Sequence, residues 1–181
     1  MKTTFELKEF SESILKRCLA WAQWMLNGSS DIAWLCIDSD GGQITPAMAE
    51  LLQVLEALKA QGRLVTETSF AASAAALVFL AGNRRILKPN GIVSLHGIEI
   101  GVPIWALADN RQLPLNVCDE ARALQKLAEE MVIKSTSIPA DEVRRFMRTK
   151  KGKAFRGRDA LEKGIATEIE SAQEQLPLLP K

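Results

Sequence analysis

The stretch FAASAAALVFLAGNRRILKPNGIVSLH, from Phe70 to His96, decides how the rest of the chain is read. It sets Ser73 among small residues at the mouth of an apolar helix, and the chain's only histidine follows twenty-three positions later, at the end of a β-like run. A hydroxyl at such a turn lies near unpaired backbone N–H groups and the positive end of a helix dipole, where a developing oxyanion is stabilised. An imidazole is the natural general base for it. Taken alone, a serine at an Ala-rich helix start is far more often an N-cap, and a lone histidine is commonly a satisfied polar side chain.

The segments on either side supply the context. Ala74 to Leu80 is apolar on every side, which predicts a buried helix, and Leu64 to Thr68 predicts a short strand before it. Thr45 and Pro46 open a helix carrying Met48, Leu51, Leu52, Leu55 and Leu58 at helical spacing, with Gly62 past its end. Ile32 to Ile37 is a continuous apolar run of the kind a strand buried on both faces shows, and it leads into Asp38-Ser39-Asp40-Gly41-Gly42. Two glycines there allow close backbone approach and leave N–H groups available. This order of strand, turn, helix and strand implies a right-handed crossover in a parallel sheet.

Nearer the N-terminus, Phe5 to Phe10 reads as a first strand, and Ser11 or Ser13 caps a helix with Ile14, Leu15, Cys18, Leu19, Trp21 and Met25 on one stripe, ending near Asn27-Gly28. Trp21 and Trp24 are expected in the core or a subunit interface. After the histidine, Asn116 caps a helix carrying Ala121, Leu124, Leu127, Ala128, Met131 and Val132 on one face. Pro139, Asp141 and Glu142 start a short helix through Phe146.

The 181 residues are the size of one large domain. With 23 basic and 22 acidic residues, nothing global argues for a nucleic-acid or membrane partner. Cys18, Cys36 and Cys118 lack metal-ligand spacing and suit free thiols in a reducing compartment. Neither a signal peptide nor a membrane span is legible, so a cytoplasmic protein is expected, with neither metal nor other cofactor.

Four ordered motifs resemble those of the Clp protease proteolytic subunit (ClpP) family: Ala71-Ala72-Ser73 with Ala81-Gly82, Pro89-Asn90 and the run to His96, Ile37 to Gly42 (IDSDGG), and Phe155 to Ala166 (FRGRDALEKGIA). The resemblance implies an α/β chain of the ClpP/crotonase-like fold, a β-β-α spiral with an extended handle helix. It implies a single domain over 1–181: a head of about 1–113 and 150–170, a handle helix of about 115–135 and a C-terminal tail at 171–181. Ser73 then corresponds to the nucleophile, His96 to the base, and Gly42 and Ala74 to the oxyanion-hole donors. Gly97 to Pro103 becomes a substrate-lining edge, with Trp105 and Leu107 beneath it. A peptide or unfolded protein is the implied substrate, and the handle helix the implied homo-oligomer contact.

The pattern is broken in several places. The family's third triad residue, an aspartate, falls at Arg148 or Thr149 of this chain, and eight cations lie between Arg144 and Arg158. A cation there would disfavour the protonated imidazole, whereas Thr149 could accept a ring N–H and is the possible third member. Neutralising the aspartate in a serine-protease triad costs about 10⁴ in turnover, or roughly 5.5 kcal/mol of barrier. Ala74 stands where the family has methionine, and Ser69 where it has glycine. The family's longer N-terminal segment, which engages an unfoldase, has no counterpart before the first strand, and this leaves an ATPase partner in doubt. The expected activity is that of a serine-type endopeptidase. The alternatives are a catalytically silent ClpP-like subunit or scaffold and, further off, a crotonase-type acyl-CoA enzyme.

Overall fold

The computed structural model describes residues 1–98 and 115–170. In chain order these form β1 (Lys2–Leu7), α1 (Glu12–Gly28), β2 (Ile32–Ser39), α2 (Pro46–Ala60), β3 (Leu64–Ala72), α3 (Ala74–Leu80), β4 (Arg84–Leu95), α4 (Leu115–Ser135), α5 (Ala140–Met147), β5 (Lys153–Arg156), α6 (Gly157–Glu162) and β6 (Glu168–Ile169). The chain is α/β, as the crossover pattern predicts. One sheet runs β1-β2-β3-β4-β5, with β6 also paired to β4. The first four strands are parallel, β5 is antiparallel to β4, and β6 is parallel to it.

Local chemistry fixes the helices that carry the core. Thr45 Oγ1 accepts the Met48 N–H at 3.3 Å and Pro46 occupies the first turn, so α2 starts where its orphan donors are satisfied. It ends as Gly62 takes φ +69 and donates its N–H to Lys59 O. Met48, Leu51, Leu52, Leu55 and Leu58 are all buried, and every residue of α3 is too. With the inner sheet side chains and the stripe of α1 they form one apolar cluster. Trp21 packs beside Phe5 in that cluster, while Trp24 is exposed.

Several boundaries differ from expectation. β1 spans Lys2 to Leu7, not Phe5 to Phe10, because its bounds follow the ladder to β2 (Lys2 with Ile32 through Leu7 with Ile37). β2 is buried on one face only: Ala33, Leu35, Ile37 and Ser39 point into the core, while Trp34 and Cys36 are half-buried on the other face. There the Trp34 indole donates to Glu67 at 2.8 Å, Lys88 pairs with Glu67 at 2.9 Å, and the Lys2 ammonium sits 3.5 Å from the indole centroid.

β3 runs on to Ala72 and β4 begins at Arg84, well before Ile92. The register jumps from Thr68 opposite Leu87 to Phe70 opposite Ile92, so Lys88 to Gly91 bulge out and Pro89 is tolerated where no ladder bond is needed. Asn90 takes φ +61 in that bulge. The first half of β4 then pairs with β6 and the second half with β5.

The closing segment is tied in by Arg85. Its buried guanidinium donates to the carbonyls of Gly82, Ser135, Gly164 and Ile165 at 2.8–3.1 Å. Helix α4 already includes Asn116 in its first turn, and its far half packs on the core through Ala128 and Val132, while Leu127 stays exposed. The side chains of Asn116 and Cys118, the expected substrate edge beyond Ile98, Trp105, Leu107 and the expected tail lie outside the described residues. Among the described residues no helix is long and apolar enough to cross a membrane.

Candidate active site

Strand register brings the serine and the histidine to one end of the sheet. Ala72 pairs with Ser94, and the ladder continues one step as the Ser73 N–H donates to Ser94 O at 3.0 Å. His96 follows two residues later, just past β4, so both side chains leave from the carboxyl ends of adjacent parallel strands. This is where parallel α/β sheets place their sites. Ser73 takes φ 55 and ψ −127, a conformation uncommon for a non-glycine residue, and its hydroxyl makes no cap bond to α3. It is therefore an elbow and not an N-cap. Its carbonyl accepts from Ala76 and Leu77, which starts the helix.

The glycine turn after β2 closes on this elbow. Gly41 has φ +91, and its N–H donates to Ser39 Oγ at 3.2 Å. A Cβ at Gly41 would lie 2.5 Å from Ala72 O, 2.9 Å from Ala74 N and 2.9 Å from Ser73 Cβ. Only glycine permits this approach. At Gly42 a Cβ would lie 2.7 Å from Phe10 Cβ, so Phe10 wedges the turn from behind. The structure thus brings Gly41, the chain neighbour of Gly42, against Ser73 and Ala74. Ala74, as the first residue of α3, has an N–H with no intrahelical acceptor. In the bulged stretch nearby, Ser69 donates to Asp38 at 2.6 Å.

His96 is half-buried, and its Nδ1 lies 2.7 Å from the carbonyl oxygen of Gly97. A carbonyl can only accept, so Nδ1 carries the proton and the Nε2 lone pair is left for another group. Gly152, at φ +58, backs the Cα and Cβ of His96: a Cβ there would collide with Leu95 O and come within 2.6 Å of His96 Cβ. Gly97 in turn donates its N–H to Thr149 O at 3.3 Å. The Thr149 hydroxyl donates to Phe146 O at 2.9 Å and accepts the Gly152 N–H at 3.1 Å. Its contact with the histidine is therefore indirect, through backbone.

Among the described residues no carboxylate forms an ion pair with His96. Arg148 instead reaches Glu129 of α4 at 3.4 Å. Of the other cations in this segment, Lys153 bonds Glu142 at 2.7 Å and Arg158 bonds Glu162 at 2.7 Å. The Lys153 bond holds the Glu142 carboxyl below its ordinary range. A cavity of about 690 Å³ opens beside Ile98, between α4 and α5, with Gln125, Glu129, Arg144 and Arg148 on its walls. Among the described residues no group of three His, Cys, Asp or Glu side chains could hold a metal ion.

Sequence reasoning read Gly41 only as one of two glycines in a turn and Gly97 only as the start of a substrate edge, and it did not single out Gly152. A pair of glycines in a turn, and a glycine straight after Lys150 and Lys151, were the available signals for the first and the last. Gly97 acts through a carbonyl, which every residue has, so it left no signal.

An elbow serine and a strand-end imidazole thus share one end of the α/β sheet with a glycine turn. The Clp protease family profile matches residues 8–173, and the chain belongs to that family. Its fold is similar to the crystal structure of the ClpP protease catalytic domain from Plasmodium falciparum, at a TM-score of 0.70 and 16% identity, covering 97% of this chain and 89% of that one. No curated protein matches the sequence.

Proposed function

We propose that the chain is a serine-type peptidase working through a Ser73–His96 pair. The observation that carries this is the Nδ1 contact with Gly97 O at 2.7 Å, which leaves Nε2 basic at the same sheet end as the Ser73 elbow. The Ser73 hydroxyl attacks the carbonyl carbon of a peptide bond while its proton passes to His96 Nε2. The carbonyl π pair moves onto oxygen, where the Gly42 and Ala74 N–H groups stabilise it. On collapse the C–N bond breaks, and the amine leaves with the proton from Nε2. Water, deprotonated by the same nitrogen, then hydrolyses the acyl ester and restores Ser73.

The Gly97 carbonyl does one of an aspartate's two jobs. It selects the tautomer, but its dipole stabilises the imidazolium less than a full negative charge would. Turnover below that of a complete triad follows. Thr149 contributes by holding Gly152 and Gly97 in place. The substrate is a peptide or unfolded protein, α4 is the homo-oligomer contact, and the site is cytoplasmic.

A fluorophosphonate probe tests the reading: it should label the wild-type chain at Ser73, and Ser73→Ala or His96→Ala should abolish labelling. Equal labelling of Ser73→Ala would refute it. That His96 Nδ1 meets a neutral carbonyl and not a carboxylate favours a second reading, a silent subunit that keeps the family fold. Peptidase activity lost in His96→Ala would eliminate that one.

A further inference from the structure

The peptide unit between Gly97 and Ile98 has two ends, and both are held. Its carbonyl accepts from His96 Nδ1 at 2.7 Å. Its N–H, which belongs to Ile98, donates to Gln125 Oε1 of the handle helix at 2.8 Å. Because the unit is planar and trans, its C=O and N–H point in opposite directions, and fixing one fixes the other. Gln125 therefore sets the plane whose oxygen chooses the imidazole tautomer, and its hydrogen bond also polarises that oxygen.

The amide of Gln125 is itself oriented. Its Nε2 donates to Met147 O at 2.9 Å and to Glu129 Oε1 at 3.0 Å. Both are pure acceptors, so the amide cannot be reversed and Oε1 must face Ile98. Glu129 is buried to 7% exposure and held from outside by Arg148. Gln125 thus bridges the chain leaving His96 and the end of α5. Those same two segments meet again through the Gly97 N–H on Thr149 O.

We propose that Gln125 is a positioning residue for His96, standing in for the tautomer-fixing part of the absent aspartate by clamping the Gly97–Ile98 peptide plane from the handle helix. The assignment rests on the Ser73–His96 reading for its catalytic meaning, but the clamp itself is tested without activity. The chain has 1 histidine, so the long-range proton–nitrogen spectrum of the imidazole reports one ring. The wild type should show a single neutral tautomer with the proton on Nδ1. Gln125→Leu, which keeps the bulk and removes all three hydrogen bonds, should shift the ring towards the Nε2–H form. It should also lower kcat by between about tenfold and 10²-fold, as small misplacements do, with KM within roughly twofold.

A folded Gln125→Leu with the wild-type imidazole spectrum overturns the proposal, as does a wild type whose proton sits on Nε2. If Gln125→Leu does not fold, Gln125→Asn must show the same tautomer shift, since its amide falls one methylene short of Ile98. Should Ser73→Ala leave activity intact, the peptidase reading fails while the spectrum still decides the clamp.

Discussion

Gly41→Ala is the sharpest perturbation of the candidate site. The added Cβ would stand 2.5 Å from Ala72 O and 2.9 Å from both Ala74 N and Ser73 Cβ, where ordinary contact begins at 3.4 Å. Relief requires the glycine turn and the serine elbow to part by roughly 0.9 Å. Displacements of about 1 Å cost up to about 10² in rate, or roughly 2.7 kcal/mol of barrier. The backbone adds its own penalty, because φ +91 is foreign to an L-residue and costs on the order of 1–2 kcal/mol of stability. Gly62→Ala separates the two effects: it has φ +69 but nothing within 4 Å of its Cβ. Fluorophosphonate labelling rates and thermal melts of both variants make the assay. Gly62→Ala should melt lower and label at the wild-type rate, whereas Gly41→Ala should melt lower and label about 10²-fold more slowly. Labelling of Gly41→Ala within threefold of wild type would refute the close-approach reasoning.

Thr149→Val should cost about 1 kcal/mol of stability through the lost bonds to Phe146 and Gly152, and less than tenfold in kcat. A loss near 10⁴ in steady-state turnover would instead make its hydroxyl a true triad member. Arg85→Met leaves the carbonyls of Gly82, Ser135, Gly164 and Ile165 without their donor, so the urea midpoint should fall by the equivalent of about 3 kcal/mol at unchanged slope. Burial pushes the Cys18 thiol up to about 12 from 9.0. Its folded-state value is the higher one, so stability present below pH 9.0 is lost as the pH rises towards 12. Cys18→Ala should flatten that alkaline limb in melts run across the range. Glu142, held low by Lys153, contributes stability that is present above its unfolded pKa and lost as pH falls through its folded one, so Glu142→Gln should soften the acid limb of the same melts.

Elements with local chemistry of their own were legible in the sequence. Thr45-Pro46 and the leucine stripe announce α2, and the unbroken apolar run from Ala74 to Leu80 announces a buried α3. Elements fixed by a distant partner were not. Pro89 argues against a strand, and β4 absorbs it only because Ser69 lies opposite a bulge. The run IAWLCI reads as buried on both faces because Trp34 and Cys36 are apolar by type, yet the second face is closed by Lys2, Glu67 and Lys88 from three other strands. Within the site, Ser73 and His96 announced themselves as side chains with chemistry. The groups around the ring did not, because Gly97 acts through its backbone and Gln125 resembles any polar residue on a helix.

The two-part pairing of β4 also sets the order in which the chain is completed. Ser73, its glycine turn and the strand under them lie in the first 95 residues. The described segments from Met147 to Gly152 and the β5 strand against Leu95, which back His96, are translated about fifty residues later. At about 5–20 residues per second, a ribosome takes several seconds over that interval. A nascent chain therefore carries the Ser73 elbow early and receives the segments that back His96 several seconds later.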